Sequence, residues 1–266
     1  MTDNNATLAV LITMPHSHYC EKARWALDRL SLPYREEPHV PLLHRLATMR
    51  NGGRSVPVLI YGSGRFIDST GILSHANAVC GGDLLYPCDS ALRNEVEALE
   101  ACFDEELGPH ARRWAYAQLL PERRLLRQVM SRGVPRFEAA LLPLIMPGVV
   151  RLVRTGLRIT PESACRSIGR VHGVFNDVSE RLGDGRQFLA GGRFTAADLT
   201  FAALAAPVLF PAEYRAAYPA LDQIPAVMRD EVLRLRDTDA GRFALRLFLQ
   251  ERDRRLVGEA RHGLGV

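Results

Sequence analysis

Residues 11–30 read LITMPHSHYCEKARWALDRL, and the fold turns on how this stretch changes period. It begins as an apolar, β-branched run, breaks at Met14-Pro15-His16, and resumes with Ala23, Trp25-Ala26-Leu27 and Leu30 at three- and four-residue spacings. That pattern predicts a buried strand, a polar turn and a helix over residues 20–30, with Glu21, Lys22, Asp28 and Arg29 on its other positions. The turn His16-Ser17-His18-Tyr19-Cys20 therefore stands where a strand feeds a helix N-terminus.

Working outward, residues 7–13 (TLAVLIT) complete the first strand and residues 34–40 form a weaker, Pro-interrupted strand placed at an edge. Residues 42–50 are helical or irregular, and Asn51-Gly52-Gly53 turns into VPVLIY at residues 56–61. Gly62-Ser63-Gly64 then makes a hairpin with RFID at residues 65–68, after which Ser69 caps a helix that runs to Val79. The order is β-α-β then β-β-α, which implies a mixed four-stranded sheet in an α/β N-terminal domain.

Beyond Tyr86-Pro87 the apolar period is helical throughout, with Leu92, Val96, Leu99, Phe103 and Leu107 as the first example. Breaks are predicted at Gly108-Pro109, Pro121, residues 143–147, Thr160-Pro161, residues 183–185 and residues 207–219. The resulting division is residues 1–82, a turn-rich linker at 83–90, and an all-α domain over 91–266.

The chain has 266 residues, and its 34 basic and 30 acidic side chains are dispersed, so no polybasic footprint for nucleic acid stands out. No apolar run reaches the ~20 residues of a membrane span. The nearest, AALLPLIMPGVV at residues 139–150, carries two prolines and reads as a buried helix or kinked loop. Five cysteines without a C-x-x-C pair suit a reducing, cytoplasmic compartment. His16, His18 and Cys20 lack the fourth partner a zinc site needs, so no metal is expected.

Four segments together resemble the landmarks of cytosolic glutathione transferases: SHYCEKARWAL (residues 17–27), VPVL (56–59), IDST (67–70) and FLAGGRFTAAD (188–198). The resemblance implies a thioredoxin-like N-terminal domain joined to an all-helical C-terminal domain, with glutathione as co-substrate. It further implies a cis Val56-Pro57 bond whose strand edge pairs with the peptide, and Asp68-Ser69 at a helix start holding the γ-glutamyl end. It implies too that Ser17, first residue of S-x-x-C, donates to the glutathione thiol. A cysteine thiol with a pKa near 8.5 is mostly protonated at neutral pH, and a hydroxyl donor beside a helix N-terminus favours the reactive thiolate.

His18 is expected to line the mouth of the site, with Tyr19 at the domain junction as second candidate for thiol activation. Arg54 and His44 are candidates for the glycyl carboxylate. Tyr19, Phe103, Trp114 and Tyr116 are expected to wall the cleft for a small hydrophobic electrophile. Thr195-x-x-Asp198 is a capping box and is assigned to folding. Cys20, one turn into the helix, reads as a shielded thiol.

The reading is a homodimeric, serine-type glutathione transferase of the detoxification kind. Its alternatives are a non-catalytic glutathione-fold binding module and a thiol reductase using Cys20. Residues 119–159 exceed the usual family length and are expected to form a lid or an interaction surface.

Overall fold

The computed structural model describes residues 8–216 and 218–256. Thr7, assigned above to the first strand, and the outer ends of both domains lie outside the described residues.

Strands β1 (Ala9–Thr13), β2 (Tyr34–Pro38), β3 (Val58–Tyr61) and β4 (Gly64–Phe66) form one sheet in the order β2-β1-β3-β4. β1 runs parallel to β2 and antiparallel to β3, and β3 pairs antiparallel with β4. Helices α1 (His18–Arg29), α2 (Leu43–Met49) and α3 (Ser69–Val79) complete this layer. The fold is the expected thioredoxin-like α/β unit with an all-α remainder. β2 does stand at an edge, consistent with its single-sided pairing and its proline.

From Ser90 the chain is helical: α4 (Ser90–Cys102), one π turn at Phe103–Leu107, α5 (Gly108–Leu119), α6 (Arg123–Ser131), α7 (Arg136–Gly156), α8 (Pro161–Leu182), α9 (Ala196–Leu209), α10 (Ala226–Arg236) and α11 (Asp239–Glu251). Two predicted breaks are not breaks. At Gly108-Pro109 the backbone passes through the π turn straight into α5, and Pro109 sits in the first turn, where its missing N–H costs nothing. α7 runs on through Pro143 and Pro147 because both face solvent, where water can take the carbonyls they release.

Residues 139–150 are thus neither loop nor fully buried helix. Leu142, Met146, Val149 and Val150 are inside, while Leu144 is 78% exposed.

α9 is buried along its whole length and forms the axis of the helical part. Its start is held as the capping box requires: the Asp198 carboxylate accepts from the Thr195 amide at 2.8 Å, the Thr195 hydroxyl at 2.9 Å and the Leu189 amide at 2.7 Å.

α1 departs most from its pattern, because Glu21, Lys22, Arg24 and Arg29 are buried with its apolar residues. The sheet covers one side and the later helices cover the other, so each charge carries its own partner. Lys22 meets Glu100 at 2.9 Å and Asp104 at 2.7 Å. Glu21 accepts from Arg24 and Arg252, both at 2.6 Å. Arg29 meets Glu251 at 2.9 Å and lies over the Phe194 ring.

Candidate functional site at the first helix

The sheet register gathers three separated segments at one end. Ile12 pairs with Val58 and Leu59 with Phe66, so the turn after β1, the Val56-Pro57 bond and Asp68-Ser69 leave the sheet side by side. Val56-Pro57 is cis. Val56 packs with Ile12, Val58 and Cys20, which sets it against the first turn of α1.

Ser17 is the N-cap of α1: its backbone is extended and its Oγ accepts from the Cys20 amide at 3.4 Å. The turn before it is held from within, Ser17 N–H donating to Met14 O at 2.9 Å and the buried Arg24 guanidinium donating to Pro15 O at 3.0 Å. Ser17 is half-buried and borders a cavity of about 70 Å³.

That cavity lies between the start of α1 and the helical part, with apolar walls from Met14, Leu119, Leu126, Val129 and Phe210. Its polar rim is Ser17, His16, His18, Arg112, Tyr116 and Tyr218. His16 Nε2 and the Tyr116 hydroxyl are 3.0 Å apart. Burial, with His44 and Arg24 nearby, pushes the His16 pKa down to about 4, so its ring is neutral and its Nδ1 has no partner. Burial pushes the Tyr116 phenol up to about 12.

Several expected placements need correction. His18 borders the cavity but is only 2% exposed, with Nε2 3.0 Å from Gly108 O, and so also ties α1 to α5. Burial, and then Arg112, lowers its pKa to about 3.

Tyr19 does sit at the junction, donating to Asp104 O at 3.1 Å, and burial pushes its phenol far up. A Cβ on Gly108 would lie 2.3 Å from its hydroxyl, so only glycine lets α5 approach α1 here.

Phe103 is a core residue, 5.2 Å from Phe201 by ring centroids, and does not line the cavity. Trp114 lines a separate groove of about 620 Å³ with Arg154, Ile159 and Cys165. The reason is helix geometry: two residues of α5 turn the side chain about 200°, so Tyr116 and Trp114 face opposite ways.

At the third segment Asp68, not Ser69, is the N-cap of α3, its Oδ1 accepting from Gly71 N at 2.6 Å. Ser69 is the first helical residue and is buried, while Asp68 is exposed. The donor set suits an anion, since the first amides of a helix lack intrahelical acceptors.

His44 is buried, and burial followed by Arg45 lowers its pKa to about 4, so it offers no charge to a carboxylate. Exposed Arg54 lines a groove of about 490 Å³ with Arg45, Met49, Gly52 and Gly53.

Cys20 is fully buried, and burial pushes its thiol up to about 11. Among the described residues no group of three or more His, Cys, Asp or Glu side chains is arranged to hold a metal ion. None of the described helices is by itself long and apolar enough to cross a membrane.

Arg112, His16 and Arg45 were not singled out from the sequence as parts of the cavity or groove. The available signal was spacing: Arg112 stands four residues before Tyr116 and shares its helix face. Residues 119–159 contribute α6, whose Leu126 and Val129 close the cavity. α7 anchors this stretch to the N-terminal layer, with Glu138 accepting from Val40 N at 2.8 Å and lying 2.7 Å from His39 Nδ1.

This is a thioredoxin-like domain carrying a polar helix start against a helical partner. The profile of the glutathione S-transferase N-terminal domain matches residues 11–78, and that of the C-terminal domain matches residues 161–226. The chain belongs to the glutathione S-transferase superfamily.

In structure it is similar to glutathione transferase GSTFuA3 from Phanerochaete chrysosporium, with TM-score 0.58, 14% identity, and 92% of this chain and 97% of that one covered. It is also similar to beta-etherase LigF from Sphingobium sp. strain SYK-6, with TM-score 0.56, 16% identity and coverage of 90% and 99%. The poplar glutathione transferase F1 gives TM-score 0.54, 14% identity and coverage of 92% and 99%. At these identities the likeness is one of fold. No curated protein matches the chain significantly in sequence.

Proposed function

We propose that the protein is a serine-type glutathione transferase in which Ser17 activates the glutathione thiol for attack on a small, largely apolar electrophile. The observation that carries this reading is the position of Ser17, half-buried at the N-terminus of α1 and bordering the cavity between the two parts of the chain. The Ser17 hydroxyl donates to the sulfur and favours the thiolate, and the α1 N-terminus adds its partial positive charge. The Val56 backbone, the amides at the start of α3 and Asp68 receive the peptide, with Arg54 and Arg45 toward its glycyl end. The electrophile occupies the cavity against Tyr116. A cytoplasmic homodimer is part of this reading, supported by family membership and by cysteines that stand free among the described residues.

A charge-assisted hydrogen bond is worth about 1.5–3 kcal/mol, so Ser17→Ala should lower turnover at neutral pH roughly ten- to a hundredfold. Glutathione affinity should change less, and activity should recover as pH approaches the free-thiol value of about 8.5. Full activity with an unshifted pH profile in Ser17→Ala would reduce Ser17 to a helix cap.

The narrowness of the cavity favours one second reading, a module that binds glutathione without turnover. Retention on immobilised glutathione with no activity across an electrophile panel is its signature. A Cys20 dithiol or monothiol cycle is disfavoured by the burial of that sulfur and its raised pKa.

A further inference from the structure

We propose that the cavity beside Ser17 takes a small electrophile bearing a carboxylate, and that Arg112 selects it. This deepens the transferase reading and rests on it for the chemical step, though not for binding.

Arg112 reaches the cavity wall from α5. Among the described residues it forms no salt bridge or hydrogen bond, and its Nε is buried without an acceptor. Among the described residues no carboxylate lies within ion-pair distance of its guanidinium, the nearby Asp104 being paired with Lys22. The Tyr19 ring centroid is 5.8 Å from the guanidinium, and His18 and Tyr116 are uncharged at neutral pH. Asp104, whose carbonyl takes the Tyr19 hydroxyl, turns Oδ2 to Lys22 at 2.7 Å and Thr70 at 2.8 Å, and its buried Oδ1 has no hydrogen-bond partner and does not reach Arg112.

Among the described residues the buried charges of α1 are matched: Glu21 by two arginines, Lys22 by two acids, Arg29 by Glu251. Arg112 on α5 has no such match, and it borders the cavity. A half-buried cation without a counterion is stabilised most by an anion lying directly against it, and a planar guanidinium matches a carboxylate in two hydrogen bonds.

The site chosen for the sulfur is at the start of α1, whereas Arg112 stands across the seam on α5, so the anion it meets belongs to the electrophile. The cavity's 70 Å³ admits a handful of heavy atoms, and its apolar walls suit a short alkyl body. With an α-chloro acid the step is a displacement. The carbon–sulfur bond forms as the carbon–chlorine bond breaks, chloride leaves with the electron pair, and the thiol proton passes to solvent.

The test compares acids with their amides. Ligand-observed NMR titration with butyrate and butyramide should show the acid bound about tenfold tighter or more by the wild type, the scale of one charged hydrogen bond. Arg112→Met should erase that preference, and Arg112→Lys, which keeps the charge but not the fork, should restore part of it. With glutathione, the ratio of kcat/KM for α-chlorobutyrate over α-chlorobutyramide, read by chloride release, should fall roughly ten- to a hundredfold in Arg112→Met.

Equal binding of butyrate and butyramide by the wild type overturns the proposal. So does an Arg112→Met protein that loses acid and amide alike, which would assign Arg112 to the thiolate. A wild type that prefers butyrate yet releases no chloride from either substrate keeps Arg112 as an anion-selective residue and sinks the transferase reading instead.

Discussion

Glu21→Gln tests whether the buried charges of α1 hold the two halves of the chain together. Glu21 is fully buried and accepts two guanidinium hydrogen bonds at 2.6 Å, one from Arg24 on its own helix and one from Arg252 after α11. Glutamine is nearly isosteric, but its amide nitrogen is a donor facing donors, so only one of the two bonds survives, and without charge assistance. Arg24 keeps Glu36 at 2.8 Å and Arg252 keeps Asp28 at 3.0 Å, which softens the loss without cancelling it.

Removing one partner from a buried ion network costs about 3–5 kcal/mol, which at about 2–4 °C per kcal/mol for a chain of this size lowers Tm by roughly 6–20 °C. Thermal unfolding followed by circular dichroism at neutral pH reads this directly. Arg254→Gln is the control. Its pair with Glu251 spans 3.3 Å at a side chain 62% exposed, and its loss should move Tm by less than about 2 °C. An Arg252→Met variant and the double variant should show that the two losses are not additive. If Glu21→Gln unfolds within about 2 °C of the wild type, the network does not clamp α1 to the C-terminal segment.

Two further outcomes follow from buried titratable groups. His16 and His18 have pKa values lowered to about 4 and about 3, so the unfolded chain binds protons more readily than the native one below about pH 6.5. Their contribution to stability is complete above that pH and is lost as pH falls toward the folded values. Tm should therefore decline between about pH 7 and pH 5, before most carboxylates titrate, and a flat profile there would refute the assignment. The thiols should separate by burial: Cys88, Cys102 and Cys165 are exposed and should react quickly with a disulfide reagent, while Cys20 should stay silent until denaturant is added. Labelling of Cys20 in the folded protein, found by peptide mapping, would contradict its burial.

Much of the fold and part of the candidate site were legible in the chain because they depend on neighbours in sequence. The period change after Met14-Pro15-His16, the glycine turns before β3 and β4, and the Thr195–Asp198 capping box are all local events, and each appears in the structure close to where the pattern put it. The order of elements followed, and with it the placing of Ser17, Val56-Pro57 and Asp68-Ser69 at one end of the sheet. The exchange of cap between Ser69 and Asp68 is a one-residue matter: both are good caps, and the carboxylate reaches the Gly71 amide.

What the sequence by itself determined is therefore the strands, most of the helices and the polar helix start. What only the tertiary structure decided is which faces meet across long separations. α1 reads as amphipathic, yet its charges are buried because Glu21 finds Arg252, 231 residues away, and Lys22 finds Asp104, 82 residues away. Phe103, Trp114 and Tyr116 look equivalent as aromatic wall residues, but the rotation of α5 sends Tyr116 and not Trp114 to Ser17's cavity, while Phe103, in the π turn before α5, packs on Phe201 in the core. Arg112 gains its meaning the same way, since a charge is unpaired only with respect to everything folded around it. A periodic pattern records whether a residue can be buried, and the partner that makes burial of a charge possible lies elsewhere in the chain.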